Sequence, residues 1–320
     1  MSGYFNHKDL IYTVYKEKSI SKAAQKLFIS QPSLSVMIQK IEHEVGTPLF
    51  DRTCKPLRMT EAGLEYIKAA EEITHIEKSF ENYLNAYRGL ETGSLTIGSN
   101  QLLSSLVLPK YISGFIKRYP RINLHLVDDN STVLKNMITS GQLDLVIDNH
   151  PLDSELFEQR FLRKEQLLLA VPASFPHNEG LESCQLTKED ILNNRHQTPD
   201  CPSVSLDRFS DVPFVTMTKE NDTRARIDNI LHESGIKPKT ILEIDRLVTL
   251  YSFVEMGTAA SIVSDTLVQF LQADHRGVLF YRLDSSHAFR EIYISYKRNR
   301  YYSKAMEAFA ELVAEGMGVD

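Results

Sequence analysis

The run SISKAAQKLFISQPSLSVMIQKIEHEVGTPLFDRTCKPLRMT, from Ser19 to Thr60, decides how the chain reads. It predicts two short helices joined tightly, followed by a basic hairpin. In the first helix, Ser21 to Phe28, the side chains of Ala23, Ala24, Leu27 and Phe28 make one apolar face, and the alanines allow a close helix crossing. In the second, Leu34, Ile38, Ile41 and Val45 recur at helical spacing, so one stripe is apolar and the opposite face is free. Ser30 is placed to cap that helix, and Pro32 falls in its first turn, where a missing N–H costs nothing. The polar start, with Ser30, Gln31, Ser33 and Ser35, sits at the positive end of the helix dipole and suits phosphates and base edges. Gln pairs with adenine, Ser is permissive and an apolar side chain meets the thymine methyl. Gln31, Ser33, Ser35, Val36 and Gln39 therefore form a candidate major-groove face, with Arg52, Lys55 and Arg58 in a Pro-broken wing over the backbone. An ordinary helical hairpin would share the apolar stripe; the capped polar start and basic wing favour DNA.

The same run resembles the N-terminal winged helix-turn-helix of LysR-type transcriptional regulators. The matching residues are Ala23, Ala24, Leu27, Ser30, Gln31, Pro32, Ser35, Ile38, Ile41, Glu42, Gly46, Leu49, Phe50, Arg52, Thr60 and Gly63. Val36 and Met37 stand where the family is usually polar.

Charge is divided along the chain. The 320 residues carry a net charge of −6, which taken whole argues against nucleic acid. Residues 1–60, however, hold nine Lys/Arg against five Asp/Glu, leaving 27 against 37 for the rest. A small basic module on an acidic body meets phosphate with one end only. No run approaches the ~18 apolar residues of a membrane span, and Met1 to Leu10 lacks a signal peptide's apolar core, so a cytoplasmic protein is expected. Cys54, Cys184 and Cys201 lack metal spacing and read as reduced structural thiols; Cys184 and Cys201 flank one polar segment, which leaves a redox pair open.

Before the opening run, Asn6 is expected to cap a helix with Leu10, Ile11, Val14 and Tyr15 on its inner face. After it, Thr60 is expected to cap a long helix to about Gly89. Tyr66, Ala69, Ile73, Ile76, Phe80, Tyr83 and Tyr87 recur at spacings of three and four, a heptad stripe that either packs on its own chain or pairs with a second copy. The resemblance implies pairing. Arg88-Gly89 and Glu91-Thr92-Gly93 read as a hinge.

From Ser94 the pattern alternates strand and helix: SLTIGS, LVLPKYISGFIKRYP, INLHLVDD, STVLKNMITSG and LDLVID predict a parallel βαβαβ sheet. EQLLLAVP is expected to cross into a second lobe, where PFVTM, TILEI and AASIVS alternate with helices. VLFYRL, EIYISYK and a terminal helix are expected to return to the first lobe. His177 to Pro202 reads as a surface loop with one short helix around Thr187 to Asn193. This order resembles the family's effector domain, akin to type II periplasmic binding proteins, through Leu108-Pro109, Phe115, Tyr119-Pro120, Gly141, Asp144-Leu145 and Gly257.

Ligands in such sheets bind at the carboxyl ends of strands. Ser99 and Asn100, Asn130 and Ser131, and Asp148 and Asn149 follow the first three strands, with Thr218, Thr223 and Arg224 around a helix start across the cleft. Each alone also reads as a cap or turn residue; together they are candidate effector contacts. No nucleotide loop, nucleophile elbow or metal-binding motif occurs, so neither catalysis, metal nor cofactor is expected.

The expected organisation is an all-α winged helix-turn-helix over residues 1–60, a long linker helix and hinge over 61–92, and a two-lobed α/β effector domain over 93–320. Its first lobe covers about 93–165 and 275–320, and its second 166–274. The expected partners are double-stranded DNA, an anionic or carboxylate effector, further copies in a dimer or tetramer, and the transcription machinery. A solute-binding protein or enzyme using the helix-turn-helix for assembly is the alternative.

Overall fold

The computed structural model describes residues 3–87, 92–273 and 275–317. The chain divides into two compact units, one built on Met1–Leu84 and the other on Asn85–Thr139 and Leu143–Asp320.

The first unit contains α1 (Lys8–Glu17), α2 (Ile20–Lys26), α3 (Gln31–Val45), β1 (Phe50–Asp51), β2 (Arg58–Met59) and α4 (Glu61–Tyr87). Ile11, Val14, Ala23, Ala24, Leu34, Ile38, Ile41, Leu49, Phe50 and Tyr66 are buried together, as helical spacing requires. Three expectations are corrected. His7, not Asn6, precedes α1, and it supplies no side-chain cap. Phe28 does not extend the apolar face of α2: the helix ends at Lys26, Phe28 turns left-handed at φ 56, and its side chain is 96% exposed. The unit is not all-α: the expected basic hairpin of the wing is a two-stranded antiparallel ladder, Phe50 opposite Met59 and Asp51 opposite Arg58.

Thr60 caps α4 as expected, its Oγ1 accepting from Gly63 N–H at 3.0 Å. Gly63 has a steric reason: a Cβ there would collide with the Leu49 carbonyl oxygen and lie 2.8 Å from Met59 Cε. Of the heptad stripe, Tyr66 packs in its own unit and donates to Tyr4 O at 2.8 Å. Ala69 and Ile73 are half-buried. Ile76, Phe80 and Tyr83 are exposed. The side chain of Tyr87 and the hinge residues Arg88, Gly89 and Glu91 lie outside the description.

In the second unit, β3 (Gly93–Ser99), α5 (Leu108–Arg118), β4 (Ile122–Asp128), α6 (Ser131–Ser140) and β5 (Leu145–Asp148) form the expected βαβαβ unit, with strands ordered β4-β3-β5 and parallel. A turn of π-helix, Leu103–Val107, leads into α5. β6 (Phe157–Pro172) is longer than its apolar run suggested and serves both lobes.

The second lobe holds β7 (Gln185–Leu186), α7 (Lys188–Leu192), β8 (Ser203–Val204), β9 (Pro213–Met217), α8 (Asp222–Glu233), β10 (Lys239–Ile244), α9 (Leu247–Glu255), β11 (Ser261–Ser264), α10 (Asp265–Phe270) and β12 (Val278–Leu283). β13 (Phe289–Lys297) and α11 (Lys304–Met317) return to the first. β12 was expected to return as well. Instead Val278–Arg282 pair with Pro172–Leu168 on the far half of β6, and Phe280 and Tyr281 are buried in the second core. The return therefore begins after Leu283. The short helix expected around Thr187 is α7, started by a Thr187/Asp190 capping box, but the segment 177–202 is not all surface: Ile191, His196 and Cys201 are buried.

Candidate nucleic-acid interface and ligand cleft

At the start of α3, Ser30 Oγ accepts from Ser33 N–H at 3.3 Å. The buried stripe of Leu34, Ile38 and Ile41 turns Gln31, Pro32, Ser33, Val36 and Gln39 outward, with Ser35 half-buried. The Gln31 side-chain amide donates to Ser35 Oγ at 3.0 Å, so the two expected readers form one unit. Glu42 ties this helix to the wing: its Oε1 accepts from Leu49 N–H at 2.9 Å and Phe50 N–H at 3.2 Å, while Oε2 pairs with Arg52 at 2.8 Å. Arg52 is thus already committed to a carboxylate, whereas Lys55 and Arg58 are exposed. Cys54 is part-buried and donates to Asp51 Oδ2 at 3.3 Å, a structural bond in the wing.

The second unit contains a cleft of about 390 Å³ between its lobes, walled by strand-end loops. Five expected residues line it: Asn100, Asn130, Ser131, Asn149 and Thr223. The other four do not. Ser99 is fully buried and donates to Ile147 O at 2.7 Å, joining neighbouring strands. Asp148 lies behind the wall, accepting from Asn100 Nδ2 at 2.7 Å and Asn149 N–H at 2.9 Å, and burial pushes its carboxyl above the usual range. Thr218 donates to Asp245 Oδ1 at 3.3 Å. Arg224 is consumed by Asp228 at 2.8 Å and Glu243 at 2.9 Å.

The positive groups that do face the cleft are Arg246 and Arg290. Arg290 is buried on β13 directly opposite Glu165 on β6, and its Nε donates to that carboxylate. Its Nη1 donates to Thr223 Oγ1 at 3.0 Å. Glu165 also accepts from Ser264 Oγ, and from Asn149 Nδ2 at 3.1 Å. Burial alone would raise the Glu165 pKa; Arg290 and the hydroxyl donors outweigh it and hold the carboxyl below its ordinary value. This network joins the strands that cross between lobes to the cleft wall. Sequence reasoning missed it because the partners are 125 residues apart; the available signal was a lone Glu at the entrance to the apolar run LLLAV.

Five carboxylates, Asp128, Asp129, Glu220, Asp222 and Asp245, line the same cleft. Asp222 reaches from the second lobe to accept from Ser131 N–H at 3.2 Å, occupying the start of α6. An anion directed at that helix start meets a carboxylate already there.

A capped, outward-facing helix beside a two-stranded wing, in a chain that also holds a two-lobed α/β unit with a polar cleft, defines a winged helix-turn-helix protein with a ligand-binding domain. Residues 5–64 match the model for bacterial regulatory helix-turn-helix proteins of the lysR family, and residues 88–318 match that for the LysR substrate binding domain. The chain belongs to the LysR family of transcriptional regulators. It is 27% identical over 307 residues to the uncharacterized HTH-type transcriptional regulator YcgK of Bacillus subtilis, covering 95% of this chain and 92% of that one. It is 29% identical over 308 residues to a "Probable RuBisCO transcriptional regulator" of Cyanidium caldarium, covering 94% and 90%. Among solved structures, a full-length OxyR variant from Pseudomonas aeruginosa aligns with a TM-score of 0.68 at 19% identity, covering 95% of this chain and 92% of that one. Full-length CbnR, solved in complex with its target DNA, aligns at 0.62 and 17%, covering 96% and 98%. At these identities the structural likeness speaks for the fold alone.

Proposed function

We propose that this regulator binds operator DNA through residues 1–60, pairs with further copies through residues 61–92, and is controlled by a small molecule in the cleft of residues 93–320. The first lobe is taken as residues 93–165 with 284–320 and the second as 166–283, since β12 pairs within the second. The observation that carries DNA binding is the Gln31–Ser35 pair on the exposed start of a capped helix, in a module with nine Lys/Arg against five Asp/Glu. Lys55 and Arg58 supply phosphate contacts, and Arg52 acts chiefly by fixing the wing through Glu42. The exposed apolar side chains of Ile76, Phe80 and Tyr83 support pairing of α4 into a dimer, and dimers assemble into a tetramer. Among the described residues no helix is long and apolar enough to cross a membrane, which fits a role on cytoplasmic DNA.

For the ligand, the anionic expectation rested partly on Arg224, which is consumed elsewhere. With five carboxylates against Arg246 and the already paired Arg290, the cleft suits a molecule carrying a cationic group beside any carboxylate. Such a ligand shifts the regulator only by its difference in affinity between lobe arrangements.

The test is binding of the full chain to the DNA upstream of its own coding sequence, measured against salt, with and without amino-acid-like compounds that raise its melting temperature. Specific binding whose log K falls about 0.9 per phosphate contacted for each decade of salt is expected. Absence of specific binding would favour the solute-binding or enzymatic alternative.

A further inference from the structure

On α3 the side chain of Val36 lies opposite the buried stripe of Leu34, Ile38 and Ile41, and it is 65% exposed. Nothing in the fold accounts for it. The position makes no core contact, and a β-branched residue on an exposed helix face is less favourable than Ala, Gln or Lys. One helical turn away on either side are Pro32 on the N-terminal side and Gln39 and Lys40 on the C-terminal side, all exposed, so its two methyl groups stand on the outermost ridge of the helix. A helical Val has one dominant χ1 rotamer, so those methyls are held in place before any partner arrives.

The module's excess of Lys/Arg, nine against five acids over residues 1–60, selects a polyanion as the occupant of this face. In a DNA major groove the apolar group presented by the base edges is the thymine C5-methyl. We infer that Val36 is a specificity residue that reads one thymine in each half-site through its methyl group. Gln31 and Ser35, whose mutual bond holds the amide on the flank of the helix, are left to read neighbouring bases by hydrogen bonding. This inference rests on the DNA-binding reading above.

The experiment separates the two. The full-length protein selects duplexes from a randomised 40-base-pair pool, and each thymine of the enriched sequence is then replaced in turn by deoxyuridine, which removes the methyl and leaves the pairing edge intact. Wild type is expected to lose about fourfold in affinity at one thymine of each half-site, the ratio expected for one buried methyl group. Val36→Ala, at an exposed site where Ala raises helix propensity, is expected to bind the thymine and deoxyuridine duplexes equally at that position and to keep its sensitivity elsewhere. Insensitivity of wild type to every replacement, or an undiminished loss in Val36→Ala, overturns the inference while leaving DNA binding standing. If no sequence is enriched, the inference falls together with the DNA-binding reading.

Discussion

Replacing Ile76 and Phe80 by Asp tests the assembly most directly. Ile76, Phe80 and Tyr83 are 65%, 60% and 45% exposed along one side of α4, and the Phe80 and Tyr83 rings stack at 6.4 Å. Fully burying such a side chain stabilises by ~1.5–3 kcal/mol, so covering the exposed fraction of Ile76 or Phe80 contributes about 1–2 kcal/mol each. In a symmetric pair every residue counts twice, so the double variant loses about 4–8 kcal/mol of association energy even before the cost of enclosing a carboxylate. That weakens the dimer by roughly 10³- to 10⁶-fold. Sedimentation equilibrium of the full chain, whose protomer mass is 36.5 kDa, is expected to show wild-type assemblies at low micromolar concentration and smaller species for Ile76→Asp/Phe80→Asp. Glu81→Ala, on the other side of the helix, should keep the wild-type mass. If the double variant also keeps it, α4 is not the pairing surface and its apolar face is covered in some other way.

Gln31→Ala is expected to lose about 1–3 kcal/mol of specific DNA binding with an unchanged melting temperature; equal operator affinity in an anisotropy titration removes Gln31 from the reading face. Gly63→Ala should cost about 1–3 kcal/mol, because the Leu49 carbonyl oxygen must move, and should weaken DNA binding by displacing the wing; an unaltered melting curve refutes that steric account. Arg290→Met leaves the buried Glu165 uncompensated and should destabilise by about 3–5 kcal/mol, with recovery in Arg290→Met/Glu165→Gln; thermal melting in which the double variant is no better than the single contradicts the pairing. The Asp148 carboxyl, raised by burial, favours the protonated folded state, so that contribution is complete below the unfolded pKa of about 4 and lost as pH rises through the folded value. Wild type should therefore lose stability relative to Asp148→Asn on going from acid to neutral pH, and parallel melting profiles across that range would refute this.

Much of this molecule is written in local pattern. Ser30 ahead of Pro32 and the stripe Leu34, Ile38, Ile41 specify a capped helix and its outward face, because capping and helical period act over one or two turns. Alternation of apolar strands and amphipathic helices likewise specified β3 to β5 and the loops that bring Asn100, Asn130, Ser131, Asn149 and Thr223 to one cleft. What tertiary structure alone decided is who partners whom. Phe28 looked like a core residue until the end of α2 turned it into solvent. Arg224 looked like a ligand clamp until Asp228 and Glu243 took it, and Arg290 is aimed into the cleft because strand register sets it opposite Glu165. β12 stays in the second lobe because the far half of β6 offers it a ladder. Charge pairing and strand register are contacts between residues distant in sequence, where no periodicity carries the information; helix caps and apolar faces are contacts between near neighbours, where it does.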